Sequence, residues 1–425
     1  MTVLIFIASL LGAMALGMPI AFALMVCGVA LMVHVDIFDA QVLAQNLVDG
    51  ADSYPLMAVP FFLLAGELMN AGGLSRRIVA AVMSLIGHVR GGLGYVAVIT
   101  ALLLASLSGS AIADTAALAA LLIPMMREAG YNVGRSAGLL AAGGIIAPVV
   151  PPSIGLVLFG SIAGVSVSKL FIAGIIPGLM MALSLILTWW WVCRKDAPAA
   201  QPRAAAAVRW KSIREAGWAM LLPLIIVVGV KFGVFTPTEA GVVAAVCAAL
   251  VGALAYRELT WAKLYESTLA AARVSAVVMF LVAAALISAW LITVANIPDE
   301  LIKLLDPFIG SPVLLMILMQ IIVLIVGTAL DFTPTILILT PVLMPLVRAA
   351  GIDPVYFGVL FVMNNAIGLL TPPVGNVLNV VCSVGKVDMD EVIRGVMPFL
   401  FAETAVLVLM SVFPHLMLVP LQWLR

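Results

Sequence analysis

The sequence predicts an all-α polytopic membrane protein made of two inverted-topology repeats, each with a re-entrant helical hairpin and a broken transmembrane helix. Three observations predict it. The 425-residue chain is 64% hydrophobic and 10% charged, against about 45–50% apolar and about 25% charged in a soluble domain. A shift of 221 residues carries Pro124 onto Pro345, Arg127 onto Arg348, Pro151-Pro152 onto Pro372-Pro373, Gly164 onto Gly385 and Pro177 onto Pro398. These are mostly residues that fix backbone shape rather than scattered identities. Finally, the positive charges change sides between the halves. Arg90, Arg127 and Arg135 flank first-half segments, whereas Lys386 and Arg394 stand where the first half has Val165 and Ala173. By the positive-inside rule the two halves therefore insert in opposite senses, as in secondary transporters.

Composition also excludes. Mean hydropathy is +1.24, and no soluble stretch exceeds about 25 residues, too short for an ATPase domain. Cys27, Cys193, Cys247 and Cys382 lack CxxC spacing and read as small buried hydrophobes. There is no HExxH, Walker A loop or dinucleotide fingerprint, so no organic cofactor, nucleic-acid partner or enzymatic activity is expected. No cleavable leader is evident, because the apolar N-terminus runs past Met18 without a small-residue cleavage site.

Taken in order, residues 1–200 form the first repeat. Residues 3–33 are too long for one span, and Gly17-Met18-Pro19 splits them in two. Residues 72–90 carry charges at both ends of an apolar stretch and read as an interfacial helix, with a counterpart at 297–311. The basic, Pro/Ala-rich stretch 194–214 marks the middle of the chain, and a linker at 201–215 is expected in the cytoplasm. The second repeat, 216–425, opens with apolar segments at 218–234 and 240–255.

Each repeat then supplies a hairpin. Residues 91–127 are apolar except for "SLSGSAIADT" at their middle, and residues 312–348 repeat this with Gly327, Thr328, Asp331, Thr333 and Pro334 at the tip. Irregular backbone at that depth survives only inside protein or lining a cavity. After each hairpin comes an interrupted helix, at 136–165 with "APVVPPSIG" and at 354–386 with "LTPPVGN". Two such pairs, facing each other near the bilayer midplane, make a cradle for a polar solute and ions.

Serines, glycines and single prolines in membrane helices are commonly packing features. Recurrence at one offset, beside intramembrane Asp114 and Asp331, points to a site. An acid at that depth costs at least about 2.5 kcal/mol unless paired or ion-bound. Asp331 lies within its tip, while Asp114 is placed to cap a hairpin helix. Asn364 and Asn365 precede the second break and are candidates for solute contact or for bonding between helices. Glu67 is placed to pair with Arg76 or Arg77, and Lys231 and Glu239 flank the interfacial turn "GVFTPT".

"PLMAVPFFLLAGELMNAGGLSRRIV", "SGSAIADTAAL", "PPSIGLVLFGSIAGVSVSKLFIAGIIPG" and "TPPVGNVLNV" resemble the large membrane subunit of TRAP (tripartite ATP-independent periplasmic) transporters, across essentially the whole chain. The resemblance implies an elevator-type, sodium-coupled importer of a small organic acid such as a dicarboxylate, keto acid or sialic acid. It further implies a small four-helix membrane subunit, a periplasmic substrate-binding protein, and residence in the bacterial inner membrane.

By the same resemblance, one sodium site would draw on Ser106, Ser108, Gly109 and Ser110 with the break near Pro151 and Ser153. The other would draw on Thr328, Asp331 and Thr333 with the break near Thr371, Gly375 and Asn376. Ser110, Ser153, Asn364, Asn365 and Asn376 are the candidate solute contacts. Oxygen-only donors suit a hard cation such as sodium. A proton-coupled organic-anion carrier of the same general fold, working without a binding protein, is the alternative. An intramembrane aspartyl protease is disfavoured because Asp331 sits in "GTALD" rather than GxGD.

Overall fold

Glycine and proline mark several of the breaks between helices, although Pro124, Pro177, Pro223, Pro341, Pro345 and Pro398 lie within helices. The computed structural model describes residues 2–194, 198, 202–295, 310–372 and 374–424, and every regular element among them is helical. The N-terminal run breaks at Gly17 into α1 (Thr2–Ala15) and α2 (Ile20–His34), which pack against each other. A short α3 (Ala40–Ala51), N-capped by Asp39, leads to α4 (Ala58–Ala71) and α5 (Leu74–Ile86). α5 buries Leu74, Ile78, Val79 and Val82 along one side, the pattern of an amphipathic helix lying against the body.

The repeat core follows as α6 (Gly92–Ser108), α7 (Ala111–Glu128), α8 (Val133–Gly144), α9 (Ile154–Ala163) and α10 (Val167–Cys193). Three long helices come next: α11 (Ala206–Lys231), α12 (Pro237–Leu250) and α13 (Trp261–Val294). The second core is α14 (Pro312–Ala329), α15 (Phe332–Ala349), α16 (Pro354–Leu370), α17 (Asn376–Gly385) and α18 (Met389–Val412), with α19 (His415–Leu424) closing the chain. Eight helical stretches among the described residues are long and apolar enough to cross a membrane.

Two differences from the sequence expectation concern boundaries. The stretch read as a linker to residue 215 is helical from Ala206, because its alanine-rich start favours helix and runs directly into α11. The interfacial counterpart expected at 297–311 lies, apart from Gly310 and Ser311, outside the described residues.

Packing pairs the two repeats reciprocally. α7 lies on α17 and α9 on α15, while α8 lies along α18 and α10 along α16. The α8–α18 crossing is backbone on backbone: a Cβ on Gly138 would come within 2.6 Å of the Gly395 carbonyl carbon, so only small residues fit there. Around this core stands a frame in which α13 packs against α2, α3 and α4, and α11 against α5 and α12. Arg76 and Arg77 tie α5 to the frame, but through Glu258 at 2.5 and 2.8 Å rather than through Glu67. The Arg77 guanidinium also stacks 3.8 Å over the Tyr256 ring. At the other end of the frame, Thr236 and Glu239 form a reciprocal capping box that starts α12.

Candidate functional site

Each hairpin ends in a turn that hands the chain from one helix C-terminus to the next N-terminus. In the first, Gly109 takes a left-handed conformation (φ +61°), and Ser110 N-caps α7 by accepting from the Ala113 amide at 3.4 Å. In the second, Asp331 N-caps α15 and accepts from the Phe332 amide at 2.8 Å. Ser110 and Asp331 are equivalent under the 221-residue shift, so one structural position carries a hydroxyl in one repeat and a carboxylate in the other.

Each tip is seated on the break of its own repeat. A Cβ on Gly109 would lie 2.9 Å from the Pro152 carbonyl oxygen and 3.1 Å from the Ile154 amide nitrogen. Gly109 is thus the point where the first tip touches the first break. Ser153 then N-caps α9, accepting from the Leu156 amide at 3.3 Å and donating its hydroxyl to the Pro148 carbonyl. In the second repeat the Asn376 amide donates to Asp331 Oδ1 at 3.1 Å, joining tip to break through side chains. Gly375 (φ +45°) makes the turn into α17.

The other proposed ligands are placed as follows. Ser108 donates to Asp114 Oδ1 at 2.5 Å and also accepts from the Ser110 amide at 3.1 Å. Asp114 is buried, and its second oxygen has no hydrogen-bond partner among the described residues. Ser106, Thr328 and Thr371 turn their hydroxyls back onto the carbonyls of Leu103, Ile325 and Ile367 at 2.7, 2.7 and 2.8 Å. The Asn365 amide donates to the Phe332 carbonyl at 2.7 Å, steadying the tip from behind, and its buried Oδ1 has no partner. The Asn364 amide donates to the Gln320 backbone and side-chain carbonyls at 2.5 and 2.7 Å. Asn364 therefore bonds α16 to α14, and neither asparagine lines the space described next.

Between the tips and the frame lies a cavity of about 870 Å³. Gly109 and Ser110 of the first tip and Asp331, Phe332 and Thr333 of the second form one wall, and the middle of α13 with the start of α2 forms the other. Arg273 of α13 stands in that second wall, a residue the sequence reading passed over. The volume suits a small organic molecule. Polar groups from both tips converge on one side, Arg273 stands on the other, and the remaining lining is apolar.

Residues 7–416 match the family model described as the tripartite ATP-independent periplasmic transporter, DctM component. The chain belongs to that family. Among DctM-family relatives, it is 55% identical to the 2,3-diketo-L-gulonate TRAP transporter large permease protein of Escherichia coli (strain K12), covering 100% of both chains. It is 37% identical to the sialic acid TRAP transporter large permease protein of Vibrio cholerae serotype O1 (strain ATCC 39315 / El Tor Inaba N16961), covering 95% of each. Its fold resembles the crystal structure of the Alcanivorax borkumensis YdaH transporter, with a TM-score of 0.60, 16% identity, and coverage of 88% of this chain and 89% of that one. The DctM-family chain is thus a large permease subunit of a TRAP transporter, not an enzyme.

Proposed function

We propose that the subunit imports a small organic acid anion by sodium-coupled secondary transport, with the solute delivered by a periplasmic binding protein and a small four-helix subunit completing the membrane complex. The acid is a keto or sugar acid, a dicarboxylate, or a sialic-acid-like molecule. The named relatives, whose substrates are both acids, support that class. On this reading the protein sits in the bacterial inner membrane with the end bearing Arg194 and Arg214 in the cytoplasm.

The observation that carries the reading is the cavity walled on one side by both tips and on the other by the frame. Two helix N-termini, at Ser110 and Asp331, begin at that wall, and oxygen donors surround each tip. Sodium held near Asp331 and Asn376, or near Ser108, Ser110 and Ser153, would add positive charge beside the solute. The two ligands would then favour each other's binding through reciprocal linkage. The reciprocally packed repeats move as one body against α13 and its neighbours, carrying the tips across the membrane in an elevator step.

The test is uptake into proteoliposomes that hold the complete complex, with binding protein and acid outside. Replacing external sodium by choline at fixed pH stops accumulation if sodium drives it. Accumulation that survives in choline and follows a proton gradient instead overturns the sodium assignment.

A further inference from the structure

We propose that Arg273 is the binding residue for the anionic group of the solute, supplied from the frame rather than from the hairpins. The inference rests on the carrier reading above and assigns it a recognition residue. Of the described residues lining the cavity, only Ser110, Arg273, Asp331 and Thr333 have polar side chains, and Arg273 is the one cation among them. The hydroxyls and the carboxylate all belong to the tips, so the positive charge is supplied by the opposite wall.

The sequence of α13 places this arginine at the boundary of the membrane core. Residues 274–294 contain no charged residue, and at about 1.5 Å per residue they span about 31 Å, the full hydrocarbon core. Arg273 closes one end of that run. An arginine there that faced lipid would bend its head toward the interface. This one is exposed and lines the cavity that the tips wall on the other side. Among the described residues no carboxylate lies within 4.0 Å of it and none makes a hydrogen bond to its side chain.

An unpaired guanidinium beside an apolar space is a ready partner for a carboxylate, which it meets with two parallel N–H donors. Asp331 sits in the opposite wall, so anion binding is favoured once that carboxylate is neutralised by a cation. Because α13 belongs to the frame, Arg273 engages the solute only while the tips stand level with it. It therefore acts on solute affinity at one side of the membrane and leaves the cation sites alone.

The experiment uses the complete complex in proteoliposomes and a panel of 2,3-diketo-L-gulonate, N-acetylneuraminate and succinate. With whichever acid the wild type accumulates, Arg273→Gln raises the half-saturating acid concentration about tenfold or more, and Arg273→Lys, which keeps the charge without the two-donor fork, restores part of the loss. The half-saturating sodium concentration at saturating acid stays unchanged in both. The methyl ester of the same acid competes poorly in the wild type and nearly as well as the acid in Arg273→Gln. An unchanged half-saturation and an unchanged preference for acid over ester in Arg273→Gln overturn the proposal while leaving the carrier reading standing. Failure of the wild type to accumulate any of the three in a sodium gradient would instead sink the carrier reading beneath it.

Discussion

Arg127 donates to the Gly385 carbonyl at 3.1 Å, and its repeat equivalent Arg348 donates to the Ala163 carbonyl at 2.9 Å. Each arginine ends the second hairpin helix of one repeat and caps the broken helix of the other. A cation at a helix C-terminus meets the negative end of the helix dipole and satisfies carbonyls that lack a partner. The two contacts tie each repeat to the other, as the proposed elevator step requires.

Arg127→Ala and Arg348→Ala should each cost about 1–2 kcal/mol. Thermal unfolding of the purified complex should show two similar drops in melting temperature. Lysine at either position should recover part of the loss. A large effect at one arginine with none at the other would mean that the contacts are not equivalent.

Gly109 and Gly130 both adopt left-handed backbone, at φ +61° and +82°, but only Gly109 is crowded. Alanine at either costs about 1 kcal/mol for the backbone. At position 109 the added methyl also pushes the tip off the break, so transport should fall about tenfold or more. Gly130→Ala, with nothing within 4 Å of the added atom, should transport normally. Comparable uptake by the two variants would show that the seating of the first tip does not matter.

Glu258 gives a pH test outside the membrane spans. Burial alone would raise its pKa, but the hydrogen bond and charge of Arg77, joined by Arg76, hold it below the usual carboxylate range. A depressed folded-state pKa contributes stability above the unfolded value, about 4.3, and that contribution is lost as the pH falls through the folded value. Glu258→Gln should therefore lower stability by about 1 kcal/mol at pH 7. The gap from wild type should close below about pH 4. A gap that persists in acid would assign the loss to something other than the ion pairs.

The helix breaks were legible because proline and glycine act locally: they set backbone shape wherever the chain places them, and they recur at one offset. Side-chain direction was not legible in the same way. Asn364 and Asn365 are neighbours, yet on a helix they point about 100° apart. One reaches Gln320 and the other the Phe332 carbonyl. Arg76 and Arg77 find Glu258 about 180 positions away, a pairing that no local pattern announces, whereas Glu67 was the nearer acid in sequence. Arg273 was overlooked for a related reason. It carries no motif, and only the folded chain sets the middle of α13 against tips from both repeats.

The cavity between the tips and the frame is proposed as a sodium-coupled site for an organic acid, with Asp331 at its wall. Sodium-gradient-driven uptake by Asp331→Asn in the reconstituted complex tests this most directly, because the substitution keeps the shape near Asn376 and removes the charge. Accumulation should fall about tenfold or more and the half-saturating sodium concentration should rise, since a hard cation loses the anionic oxygen donor of Asp331. Uptake equal to wild type, with the same sodium dependence, would contradict the proposal.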